Sequence, residues 1–153
     1  SFYNKKVKVI KCNIHDFNYS QLLKFKFTHI YYFATPKIEF SSSHNFNSKI
    51  MDTFFNFYVH GFERIINEFS VFSDCKYFYP STTFIDDYRS EFKEYILSKI
   101  AGEFLIKSIF KNKKSPVNIV RLPKLDTDQT LSLLPEKNED SLSILHDHIL
   151  KFN

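Results

Sequence analysis

The 153-residue chain predicts an α/β fold: a Rossmann-like parallel sheet of about four strands with helices on both faces, in a single domain over residues 1–153. Three observations predict it. Strand-like and helix-like segments alternate along the chain, the order of a parallel sheet with crossover helices. Segments 49–69 and 92–111 repeat apolar residues at helical spacing. The run "THIYYFAT" at 28–35 is almost continuously apolar and aromatic, as in a strand covered on both faces.

Taken in order, "VKVIKCNI" at 7–14 alternates apolar and polar residues, which predicts a half-buried strand. "HDFNYSQLLKF" reads as a turn and a short helix. The strand at 28–35 ends at Pro36, and the Ser- and Asn-rich stretch after it is loop-like. The helix at 49–69 leads to a strand in "CKYFYPS", 75–81, and then to the loop "TTFIDDYRSE". The helix at 92–111 is followed by the turn "KNKKSP" and a strand in "VNIVRLP". A long polar loop and a closing helix in "DSLSILHDHILKF" complete the chain. Right-handed crossovers would gather the strand C-terminal ends on one edge, where ligands bind in open α/β sheets.

Composition narrows the function classes. The chain is 18% aromatic and 43% hydrophobic, with 19 phenylalanines, two glycines and no tryptophan, so phenylalanine is expected to fill core positions. The net charge of +4 comes from scattered lysines. Basic clusters at 4–8 and 111–114 are short and read as solvated loops or element ends, not a phosphate track. Cys12 and Cys75 lack metal-ligand spacing and read as reduced thiols in a cytoplasmic protein. No run approaches the ~20 apolar residues that cross a bilayer. Neither a nucleic acid nor a membrane is therefore an expected partner; a small-molecule substrate is expected only from the resemblance drawn below. His146 and His148, two apart on a helix, point in different directions, and the remaining histidines share no ligand spacing, so no metal is expected.

The chemistry centres on "YFYPSTTFIDDYRSEFKEYILSKIAGEF". Tyr95 and Lys99 stand four apart and share one helix face. A nearby ammonium favours phenolate and would lower the tyrosine pKa from ~10. A phenol tuned in this way can exchange a proton with a substrate oxygen. Ser81 or Thr82, at the end of the preceding strand, could hydrogen-bond that same oxygen. Asp86 and Asp87, just beyond, read as solvated loop acids.

Thr82 lies thirteen residues before Tyr95 and Ser81 fourteen, and "YILSKIAGE" follows. In this the chain resembles the short-chain dehydrogenase/reductases, whose pattern is a strand-end Ser or Thr about that far ahead of Tyr-x-x-x-Lys. The wording Tyr-x-x-Ser-Lys-x-x-x-Glu is similar to extended and atypical members. The resemblance implies Tyr95 as acid/base, Lys99 as ribose ligand and modulator of Tyr95, and Ser81 or Thr82 as orienter of the substrate oxygen. It also implies NAD or NADP as cofactor. Asn13 would sit where the third strand touches the adenine. Ala34 and Thr35 would match the end of Asn-Asn-Ala-Gly, and Thr127 the carboxamide-binding threonine. Tyr58 stands where many members carry an asparagine that holds a relay water. By the same resemblance, helices 49–69 and 92–111 would pair across a homodimer.

The resemblance covers the later, catalytic part of the family fold. With only Gly61 and Gly102, no Gly-rich pyrophosphate turn can be written. The first two strands of the family are missing too, which leaves the segment at 7–14 without its neighbours. Three outcomes would answer this: the chain, beginning "SFYNKK", is part of a longer polypeptide, which is the expectation, or the first strand pairs directly with the second, or another chain fills the gap. The implied function is NAD(P)-dependent oxidoreduction of a carbonyl or hydroxyl carbon. The alternatives are a non-catalytic binding or structural remnant and a nucleotide-sugar epimerase or dehydratase.

Overall fold

A computed structural model describes residues 7–38, 45–87, 89–113, 115–124 and 141–152. Its centre is a three-stranded parallel sheet in the order β1 (His29–Tyr31), β2 (Lys76–Thr82), β3 (Val117–Leu122). Ile30 aligns with Tyr77 and Tyr79 with Ile119. The α/β class and the parallel sheet are as the alternation predicts. The count is three strands among the described residues, not about four.

The missing strand is the one expected at 7–14. Its alternation is real, but no strand of the described sheet lies beside it. A strand without a partner leaves its N–H and C=O groups to water. Residues 7–13 are accordingly exposed, with Val7 at 73% and Val9 at 90%. Among the described residues, packing of this segment against the core begins at Ile14–Phe17. There the Arg64 guanidinium donates to the carbonyls of Ile14, His15 and Phe17. β1 is also shorter than its apolar run, although the Tyr32 N–H still donates to Phe78 O at 3.1 Å.

The expected helix at 49–69 forms as three pieces on one continuous path. They are α1 (Ser48–Phe55), a π-helical turn (Asn56–Gly61) and α2 (Phe62–Glu68). Asn47 caps α1 by accepting from the N–H groups of Lys49 and Ile50. Its own N–H donates to the buried Glu94 carboxylate at 2.7 Å, tying the start of α1 to the first turn of α3 (Lys93–Phe110). The closing helix, α4, spans Ser141–Phe152.

Strand alternation in β2 divides the core. Tyr77 and Tyr79 point to one face, where Phe54, Tyr58, Phe62, Ile66 and Ile106 cover them. Phe78 points to the other, with Val120 and Leu122, against Ile144, Leu145 and Phe152 of α4. Helices therefore cover both faces, and the two crossover helices pack together on the first. Aromatic rings do most of the filling, with tilted and edge-on pairs such as Phe62–Tyr79 at 4.9 Å.

The two glycines serve this packing. The Tyr32 hydroxyl crosses Gly61 to donate to Phe57 O at 2.6 Å, and the Tyr79 hydroxyl crosses Gly102 to donate to Tyr58 O at 3.0 Å. Both acceptors are carbonyls of the π-turn. A Cβ on Gly102 would collide with the Tyr79 hydroxyl and press on Tyr58 O. Gly102→Ala is thus expected to destabilise by roughly 1–3 kcal/mol, the cost of stranding a buried hydroxyl. Helix propensity alone predicts the opposite sign. Chemical denaturation of the two proteins decides between them.

Candidate active site

β2 delivers its last three residues to α3, and each meets a different partner. The Pro80 carbonyl accepts from Lys99 Nζ at 2.7 Å. Ser81 Oγ donates to Glu103 at 2.7 Å. Thr82 ends the strand and caps a short 3-10 turn by accepting from Phe84 N–H. Its hydroxyl also lies near enough to the Tyr95 phenol to oppose the effect of burial on that phenol. Tyr95, Lys99 and Glu103 are four apart along α3, so one helix stripe faces the strand end. The structure thus brings Ser81, Thr82, Tyr95 and Lys99 together at the C-terminal end of the middle strand.

The pairing differs in detail from the sequence expectation. Lys99 is only 4% exposed, and its ammonium lies 3.7 Å from the Tyr58 ring centroid, with Tyr79 at 5.1 Å and Tyr95 at 5.8 Å. It rests under the face of Tyr58 and on a backbone carbonyl, a cation–π and hydrogen-bond seat. Burial pulls the Lys99 pKa down to about 7, against the weaker opposing pull of Glu103. Burial pushes the Tyr95 phenol up to about 12, opposed by Thr82. The expected lowering of Tyr95 by Lys99 is therefore corrected: desolvation of the phenol outweighs an ammonium that is directed elsewhere.

Ser81 is committed to a second network. Glu103 accepts from Ser81, from Arg121 Nε and Nη2 at 2.9 Å each, and from Lys107 at 3.2 Å. Burial alone would raise the Glu103 carboxyl, but these hydrogen bonds prevail and hold it at about 2. Arg121 also pairs with Asp86, so Asp86 is an anchor for the loop after β2 and not merely a solvated acid. Sequence reasoning left Arg121 and Glu94 without a role. The signal for Arg121 was an arginine inside the apolar strand "VNIVRL", which implies a nearby carboxylate. For Glu94 no pattern in the sequence pointed to the distant Asn47.

The residues assigned to a dinucleotide have varied surroundings. Asn13 sits in an exposed turn, where its amide donates to Asp16 and its carbonyl oxygen accepts from His15 N–H. Ala34 is half-buried against the main core. Thr35 shares a 2.5 Å hydrogen bond with the Tyr58 hydroxyl and donates to Pro36 O. Lys99 is covered by Tyr58, and Thr127 lies outside the described residues. Thr35 and Lys99 thus both touch Tyr58, whereas Asn13 lies in the exposed turn. Tyr58 is what closes over the lysine.

Compared with known proteins, the chain matches no family model, no curated protein and no solved structure. The resemblance therefore rests on the residue pattern. Among the described residues, no helix is long and apolar enough to cross a membrane.

The buried amine has a thermodynamic signature. The unfolded chain holds the Lys99 proton to about 10.5, and the folded chain releases it near 7. Between those values the unfolded state binds more protons, so stability rises with pH. Above ~10 the trend reverses, because unfolded tyrosines ionise there while burial keeps Tyr95 protonated up to about 12. From about pH 7 to 9.5 this gain approaches ~1.4 kcal/mol per pH unit at its steepest. Urea denaturation at stepped pH should show it, and Lys99→Met should remove it.

Proposed function

We propose that the chain carries the proton-transfer end of a short-chain dehydrogenase/reductase-type oxidoreductase site, acting on a carbonyl or hydroxyl carbon of a small molecule. One observation carries the reading: Thr82, at the C-terminal end of the central parallel strand, lies near enough to the Tyr95 phenol to oppose the effect of its burial, one helical turn from Lys99. A phenol held near 12 stays protonated at neutral pH. It can donate to a carbonyl oxygen that gains negative charge, so reduction suits it better than oxidation. Thr82, not Ser81, is the hydroxyl free to share that oxygen, since Ser81 is held by Glu103.

A second reading has its own support. Tyr58 roofs Lys99, and Thr35 holds Tyr58 in place, as in a fold retained for binding or architecture after its cofactor seat has closed. Titrating NADH and NADPH against the protein, followed by nicotinamide fluorescence, separates the two. The oxidoreductase reading expects saturable binding. It also expects Tyr95→Phe to lower turnover by about 100-fold or more while binding persists. Absence of saturable binding leaves the non-catalytic reading. A net hydride-transfer assay distinguishes a reductase from an epimerase or dehydratase, which would return the nucleotide unchanged.

The homodimer belongs to the same reading. Leu97, Ile100 and Phe104 are exposed on α3 at spacings of three and four, and Phe104 is 75% exposed. This stripe suits the α3 of a second copy. Phe104→Glu is expected to shift the sedimentation coefficient from dimer to monomer and to leave the circular dichroism spectrum unchanged.

A further inference from the structure

The first 28 residues contain six lysines, no arginine and one aspartate, a net +5 in a chain whose total is +4. The positive charge is therefore concentrated at one end, and the remainder is slightly acidic. Read cluster by cluster, these lysines look like solvated surface. The structure joins two groups that are far apart in sequence. Lys8 Nζ lies 5.2 Å from the Phe25 ring centroid and Lys24 Nζ 5.3 Å, so the arm at 7–11 runs beside the segment 24–26. Lys11 and Lys26 belong to the same two segments, and all four lysines are exposed. Among the described residues none of the four makes an ion pair, and Asp16, the one acid of the segment, is engaged by the Asn13 amide.

Apolar groups stand among these charges. Val7 and Val9 are almost fully exposed, and Ile10 and Phe25 are partly so. Arg64 ties the chain to the core at Ile14, and Val7 and Val9 before it stay outside that core.

We infer that the arm at 7–11 and the segment 24–26 form a docking surface for an anionic lipid bilayer. Lysine ammonium groups around exposed aliphatic side chains match the headgroup zone, which offers negative charge above and hydrocarbon just below. A nucleic acid fits less well. It has no use for exposed valines, and phosphate recognition favours arginine, which the segment lacks. Ammonium groups also occupy the Phe25 ring, so it offers no platform for base stacking. A surface contact needs no spanning helix, so this inference is compatible with the absence of one among the described residues. It is independent of the proposed oxidoreductase site.

The test is co-sedimentation of the 153-residue chain with vesicles of phosphatidylcholine alone, and with vesicles in which about one lipid in three is phosphatidylserine. Partitioning is expected only onto the phosphatidylserine vesicles, and added salt should weaken it. Lys24→Glu and Lys26→Glu should each reduce partitioning about five-fold or more, the effect of about 1 kcal/mol per lysine at an anionic surface. Val7→Ser with Val9→Ser should also reduce it, with far-UV circular dichroism unchanged. Three outcomes overturn the inference: no partitioning, partitioning indifferent to the lysine and valine changes, or binding to an oligonucleotide without binding to vesicles.

Discussion

A single buried amine organises the centre of this protein. Lys99 projects from α3 under the ring of Tyr58 and reaches a backbone carbonyl of β2, so one side chain joins both crossover helices to the middle strand. A cation removed from water needs compensation, and here it receives a carbonyl and an aromatic face instead of a carboxylate. The nearest acid on its own helix, Glu103, is already occupied by Arg121, Ser81 and Lys107. The site consequently contains two separate polar systems. One is a charged clasp that fixes β3 to α3. The other is an aromatic chamber whose cation is close to neutrality.

That separation shapes the reading of function. The residues that resemble a short-chain dehydrogenase converge as the pattern implies, yet their relations differ. Thr82 attends the phenol, Ser81 serves the clasp, and the lysine turns from the phenol toward Tyr58. The protonated Tyr95 can donate a proton, while the Lys99 ammonium rests on the Tyr58 ring and the Pro80 carbonyl. The covered lysine gives the non-catalytic reading its weight. Both rest on the same few ångströms around Tyr58.

The sequence announced the elements far better than their connections. Long runs rich in apolar residues located both crossover helices within a residue or two, although α3 buries Glu94, Ser98, Lys99 and Glu103 while it exposes Leu97, Ile100 and Phe104. The strands at 76–82 and 117–122 were equally clear. The alternating run at 7–14 misled, since alternation records what a strand would bury and cannot say whether a neighbour is there to pair with. Spacing placed Tyr95 and Lys99 on one stripe and Thr82 before them. The direction of the Lys99 ammonium depended on Tyr58, more than forty positions away along the chain, and no local pattern encodes that. The π-turn was likewise invisible, because its sequence "NFYVHG" is as apolar and periodic as its flanks.

The π-turn deserves a geometric reading of its own. Each residue of an α-helix advances about 100° around the axis, and a wider turn withholds part of that advance. Asn56–Gly61 therefore acts as a phase adjuster between two stretches of helix that would otherwise drift out of step with the sheet. Upstream, Phe54 looks toward Tyr95; downstream, Phe62 and Ile66 look toward Tyr77 and Tyr79. A lineage that lost one residue from this stretch would recover an ordinary helix and swing one half away from its contacts. The length of this short segment is thus under tighter geometric control than most of its side chains.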